Sequence, residues 1–519
     1  MKNKKETLLI LTILITICII IFNRDKLYEA KYTEPKDTLL AITINGEIST
    51  TFPTTNAYTG TVECTTGTGK VEWNGTKWVL TTSGITKGST KCNATFNKKL
   101  TLAEAILANN EVKTPITTPG TESSAHTLDD VPNQTASVSS TYQAYYITYG
   151  TGWKANGTRF NLTGAAETSD TYANSYSSLV GKYLPYNDIY AAGSSIGTMR
   201  STTNLKGVYY VVSATQKSFT YKQISSVKNV SEALLASTPD DYGTSYYFRG
   251  AVTNNYVQFA NKCWRIIRVG GNGSVKLILH NDNTAKTANP CNSANNNANA
   301  AFARYSGETY KSVFNTYRDD NAYVGFKYGT PYSNTYAVTH ANTNKSTILT
   351  NLETWYNTKL KTYENVIDDT VWCNDKTNVN GLGYAKNETY YGAYKRLKST
   401  NASAGGTGPS LKCNGELSKI TSKVGLITAD ELAFAGYSYD NYNTTTYLQE
   451  NAMYDWWWSL SPYFFYNDTT GVWSVGGGVG SFGFNYVDRA YGLRPSISLK
   501  PSTSVTGNGS SESPYIIST

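Results

Sequence analysis

The chain has 519 residues, enough for several domains, and with 39% hydrophobic and 16% charged residues it is polar without being highly charged. Its 42 Tyr and 42 Gly, with abundant Asn and Thr, match β-rich extracellular modules and argue against a helical bundle. The net charge of +8 is diffuse: beyond the first residues no Lys/Arg cluster tracks phosphates, which argues against nucleic acid and leaves room for weak attraction to anionic envelope polymers.

Lys2, Lys4 and Lys5 precede an uncharged apolar run over residues 7–22. At about 1.5 Å per residue a helix of this length spans most of a hydrocarbon core about 30 Å thick. No small-residue cleavage site follows; the run ends in Phe22-Asn23-Arg24-Asp25. Residues 1–26 therefore read as an uncleaved signal-anchor, with the lysines inside and the rest of the chain outside the cell membrane. A cleaved signal, releasing a secreted protein, is the alternative.

Residues 27–40 read as a spacer and 41–98 as a small β module. Its clearest unit is Trp73-Asn74-Gly75-Thr76-Lys77-Trp78, where Asn-Gly between alternating apolar and polar residues predicts a type I′ hairpin. In 99–138 a short helix over 100–110 is predicted, with Thr101 and Glu104 as a capping box, followed by a Thr/Pro/Ser-rich linker. A second β module, 139–226, repeats the pattern Asn-Gly-Thr-[Lys/Arg]-aromatic-x-Leu-Thr at 156–163. A duplicated module and a shared hairpin composition explain that echo equally well.

The largest domain, 237–500, opens with a long hairpin through 259–279, apolar on one face and partly basic on the other. Two helices are predicted: 346–361, and one with Thr428 as N-cap, Glu431 completing a capping box and Gly436 as the stop. Residues 501–519 read as a tail. One of the seven cysteines, Cys18, lies in the apolar run. The other six fall into near pairs: Cys64 with Cys92, Cys263 with Cys291, Cys373 with Cys413. An even number outside a membrane suggests disulfides; of fifteen connectivities, modularity favours the sequential one.

The closing segment is the most informative. Tyr454-Asp455-Trp456-Trp457-Trp458-Ser459-Leu460-Ser461-Pro462 is followed by Gly-rich strands and by Gly492-Leu493-Arg494-Pro495. Pro462 donates no ladder hydrogen bond and is expected to end the strand. Trp-Trp-x-x-Ser-Pro followed by Gly-[aliphatic]-Arg-Pro resembles the end of a domain of unknown function on surface proteins of low-GC Gram-positive bacteria. That domain is related in fold to C-type lectins and formylglycine-generating enzymes. The resemblance implies a multi-domain, mainly β protein with a C-terminal α+β C-type-lectin-like domain, displayed on the cell surface for binding. The family's Arg two positions after the second Trp is Leu460 here, which weakens a shared two-arginine site. No Cys follows Cys413, so the enzymes' cysteine pair does not carry over.

Among site residues, the Trp triplet is expected to be packing. Tyr463, Phe464, Phe465 and Tyr466 are expected to form an exposed aromatic loop that, with Trp473, stacks on sugars. Arg494, held extended by Pro495, is either a ligand contact or an internal salt bridge. Asn467-Asp468 is a calcium position by analogy to C-type lectins, and no other cofactor is expected. Paired acids at 240–241, 319–320, 368–369 and 430–431 are sequence neighbours, an arrangement that seldom faces two carboxylates across a bond. The resulting expectation is non-catalytic adhesion to a glycan or protein. A cell-wall hydrolase and a structural surface-layer or pilus-like subunit are the alternatives.

Overall fold

The computed structural model describes residues 38–121 except 87, residues 232–517 except 399–405, 441–444 and 479, and between them short stretches from 128 to 223. It is mainly β and divides into two compact units, Met1–Leu100 and Thr101–Thr519. The apolar run 7–22 lies outside the described residues. Among the described residues no helix is long and apolar enough to cross a membrane.

In the first unit, β1 (Thr38–Ile44), β2 (Glu47–Ser49), β3 (Tyr58–Cys64) and β6 (Thr90–Lys98) form a sheet in the order β2-β1-β6-β3, with β1 and β6 parallel. The hairpin of β4 (Thr68–Trp73) and β5 (Trp78–Ser83) forms as expected, but over four residues rather than two. Trp73 pairs with Trp78, and the Asn74 carboxamide caps the turn by accepting from the Thr76 and Lys77 amides. The hairpin packs closely on the sheet because Gly60 and Gly69 lack side chains; a Cβ at either would overlap Val71 or Val62. Cys64 and Cys92 are direct cross-strand partners on β3 and β6.

In the second unit, α1 (Leu102–Asn109) has the expected capping box and buries Leu102, Ala105 and Ile106. The segment expected to be a linker is tied down. The Lys113 amide donates to Leu235 O, and Glu232 accepts from the Ile116 and Thr117 amides. Further along, β7 (Asn133–Ser137) pairs with β9 (Ser218–Gln223), which pairs with β8 (Tyr209–Ala214). In the echoed hairpin, strands Trp153–Ala155 and Thr158–Phe160 pair antiparallel; 156–157 and 161–163 lie outside the described residues.

The main body has two sheets. The first is built on β10 (Ala233–Pro239), β11 (Thr244–Gly250), β12 (Tyr256–Phe259), β13 (Lys262–Val269) and β14 (Val275–Asn281). The basic residues of the β13–β14 hairpin are covered rather than solvated: Arg265, Lys262 and Lys276 are all buried. Helix α2 (Thr347–Lys359) packs Ile348, Leu352 and Trp355 into the same core, and Ser346 caps it. The expected tail belongs to this sheet as well. β19 (Tyr515–Ile517) runs parallel to β12, and Tyr515 is fully buried.

The second sheet centres on β16 (Trp457–Tyr466). It is flanked by β17 (Thr469–Val475) on one edge and by β15 (Thr389–Tyr391) on the other, with β18 (Phe482–Tyr486) beyond β17. Trp456 and Trp458 share a face against Tyr491, while Trp457 lies on the other side under Arg494. The three disulfides are sequential: Cys64–Cys92, Cys263–Cys291 and Cys373–Cys413.

Candidate functional site

Pro462 does not end its strand. β16 continues through it to Tyr466, with register shifts on either side of Pro462 that absorb the missing donor. The consequence is chemical. At the shift, Tyr463 and Phe464 are turned to the same face, where their rings meet at 5.2 Å and both contact Phe484. The expected exposed loop at Tyr463–Tyr466 is therefore corrected to a strand whose rings are largely core. Tyr463 and Phe465 are buried and Phe464 is 7% exposed, while Tyr466 is 42% exposed.

The other expected contacts are corrected in the same way. Phe465 falls on the opposite face by strand alternation and is fully buried. Trp473 is enclosed between Tyr463 and Phe482, each at 4.8 Å. Arg494 has no solvent exposure and, among the described residues, makes no salt bridge. It donates to Leu279 O and Leu448 O and lies 4.7 Å over the Trp457 ring. Burial lowers its pKa to about 10, which leaves the guanidinium charged at neutral pH.

What reaches solvent on this face is a set of rings that sequence reasoning missed. Residues paired across a sheet point to the same side. Tyr390 on β15 pairs with Phe464, Phe464 with Gly471, and Gly471 with Tyr486. At a strand spacing of about 4.8 Å this row extends roughly 14 Å. Gly471 makes room in it: the Phe464 ring lies over the bare glycine, and a Cβ there would come within 3.2 Å of it. Tyr394, from α3 (Gly392–Leu397), continues the surface 4.2 Å from Tyr390. Tyr439 lies beside Tyr463 at 6.4 Å. Tyr390, Tyr394, Tyr439 and Phe484 are half-buried, and Tyr486 is 38% exposed. Tyr390 and Tyr394 are dispersed in sequence, and only strand register brings them to Phe464.

A second polar cluster surrounds a cavity of about 40 Å³ next to Cys373–Cys413. That is room for about three water molecules, too little to enclose a sugar. Helix α4 (Ala429–Ala435), with its capping box, supplies Asp430 and Glu431. Arg396 grips Asp430 with two bonds of 2.6 and 2.8 Å and Asp375 with a third of 2.7 Å. Glu431 accepts from Lys276 at 2.6 Å and Arg268 at 3.0 Å, and Arg268 also reaches Asp240. Burial would raise the Glu431 carboxyl, but the two cations outweigh it and hold it at about 2. A carboxylate so firmly ionised cannot act as a general acid near neutral pH. The cluster joins the end of β10, β13, β14, α3 and α4 and is an internal pin.

Asn467 and Asp468, at the calcium position suggested by analogy, form the β16–β17 turn with positive φ, and Asp468 pairs with Lys386. Among the described residues no group of three or more His, Cys, Asp or Glu is placed to hold a metal ion.

Comparison of the chain with protein-family models, curated proteins and solved structures returns no match.

Proposed function

We propose that this protein is a membrane-anchored extracellular binding protein that attaches to a glycan through the aromatic face of its C-terminal domain, without catalysis. The observation that carries the proposal is the set of partly exposed rings, Tyr390, Tyr394, Tyr439, Tyr466, Phe484 and Tyr486, gathered around the buried Phe464. Partly exposed rings on a sheet offer apolar area at little entropic cost, and the hydroxyls of the tyrosines can bond to a polar ligand at the edges. A sugar pyranose presents both surfaces: a C–H face for stacking and hydroxyls at its rim.

Three disulfides support an oxidising, extracellular setting. The resemblance of the closing segment to displayed surface modules supports the same address, and the apolar run 7–22 supplies the anchor. The hydrolase alternative is weaker because Asp240, Asp375, Asp430 and Glu431, which line the cavity beside Cys373–Cys413, are engaged by Arg268, Lys276 and Arg396. The test is polysaccharide binding by the full-length chain, compared with a variant that replaces the exposed rings and keeps the buried ones.

A further inference from the structure

Four of the partly exposed rings of the aromatic face form two pairs, one at each end of the row across the sheet. Tyr390 on β15 and Tyr394 on α3 lie 4.2 Å apart at one end. Phe484 and Tyr486 on β18 lie 6.2 Å apart at the other. Between the pairs is the Phe464 ring, 7% exposed, 6.0 Å from Tyr390 and 6.5 Å from Tyr486. Tyr466 flanks this middle part from the strand end, 6.5 Å from Phe464. The Tyr486 end also carries polar groups. Arg318 and Asp488 pair at 3.1 Å with side chains 43% and 30% exposed, and the guanidinium lies 5.8 Å from the Tyr486 ring centroid.

Tyr390 and Tyr486 are three strand steps apart in register, about 14 Å at a spacing of about 4.8 Å. One pyranose in an extended chain is about as long as one such step. A single sugar therefore covers the rings at one end only. Both ends are covered together by two sugars about three repeats apart in one chain. Once the first of these is held, the second stacks without a further loss of translational freedom, so reach along the row converts into affinity. The Arg318–Asp488 pair presents donors and an acceptor to the hydroxyls of a sugar at the Tyr486 end. We infer that the ligand of this face is a run of about four sugars in an extended polysaccharide, with one end sugar on Tyr390 and Tyr394 and the other on Tyr486. This rests on the aromatic face being the glycan surface.

The test uses the full-length chain, solubilised in mild detergent, with oligomers of two, four and six sugars of β-1,4-glucose and of β-1,4-N-acetylglucosamine. Affinity is measured by calorimetry for the wild type and for Tyr486→Ala, whose ring is 38% exposed on an edge strand. The wild type should bind a tetramer about five- to tenfold more tightly than the dimer, the size of one further stacked ring, and the hexamer within about threefold of the tetramer. Tyr486→Ala should remove the step from dimer to tetramer. Its affinity for the dimer, which still has Tyr390 and Tyr394, should change by less than about threefold. A dimer bound as tightly as the tetramer by the wild type, a step that survives Tyr486→Ala, or an equal second step from tetramer to hexamer overturns the inference and leaves a glycan surface of different reach. If Tyr486→Ala does not fold, the wild-type series alone decides. If no oligomer binds the wild type, the inference and the glycan reading fall together.

Discussion

Glu431 shows how one residue ties sequence to acid stability. Its place in the capping box was legible from Thr428-x-x-Glu431, a local pattern. Its ion pairs with Lys276 and Arg268 were not, because they link positions more than 150 apart in the chain. The folded pKa of about 2 lies below the ordinary value of 4.5. Glu431 therefore adds stability that is fully present above about pH 4.5 and is lost as pH falls through about 2. The size is about 3 kcal/mol. Chemical denaturation across pH 2 to 5 should show this loss in the wild type. Glu431→Gln should be less stable at pH 7 by about 3–5 kcal/mol, because Lys276 is left buried and unpaired, and should show a flatter acid limb. An equally steep acid limb in the variant would contradict the assignment. Arg494 teaches the complementary lesson. Its Gly-Leu-Arg-Pro setting announced a fixed arginine but not its partners, which are main-chain carbonyls and a tryptophan face that carry no sequence signature.

At the scale of elements, the helices with side-chain caps were readable because their ends carry local chemistry, whereas α3, which has no side-chain cap, was not. Thr101 with Glu104 and Ser346 all cap where their side chains indicate. The central strand of the second sheet was misread at Pro462. A proline that lacks a donor signals a break, yet a register shift satisfies the same requirement and lets the strand go on. That shift decides which rings are core. Tyr463 touches Tyr394, Tyr439, Phe464, Trp473 and Phe484, whereas Tyr466 projects from the strand end. Tyr463→Ala is expected to cost about 3–5 kcal/mol in urea denaturation, the range for a buried aromatic. Tyr466→Ala should cost less than about 1 kcal/mol. Similar costs for the two would mean that the ring face is not divided into core and surface as described.

On the whole-molecule scale, cysteine spacing anticipated the connectivity, since each bridge closes a short loop inside one unit: 28, 28 and 40 residues. Loops of that length are expected to stabilise by about 3–4 kcal/mol each in the chain-entropy picture. Cys263→Ser/Cys291→Ser should lower the unfolding temperature of the second unit and leave the transition of the first unchanged in calorimetry. A shift in both transitions would contradict the assignment of each bridge to its own unit. The two segments expected to be linker and tail were misread for one reason. Their Thr, Pro, Ser and Gly content reflects turns, and turn-rich chain can still be pinned, as Glu232 pins 116–117 and β12 pins Tyr515. The ligand face was the least legible feature. It is assembled from β15, β16, β18 and α3, and only the register of three strand pairs aligns its rings.

The measurement that tests the central claim most directly is binding of the full-length chain to a polysaccharide panel, beside a Tyr466→Ala/Tyr486→Ala variant, which removes the two exposed rings. At about 1 kcal/mol per stacked ring, the variant should keep its unfolding temperature and lose well over tenfold in affinity for the glycans the wild type retains. Undiminished glycan binding by the folded variant, or a wild type that binds no polysaccharide, would contradict a glycan-binding role for this face.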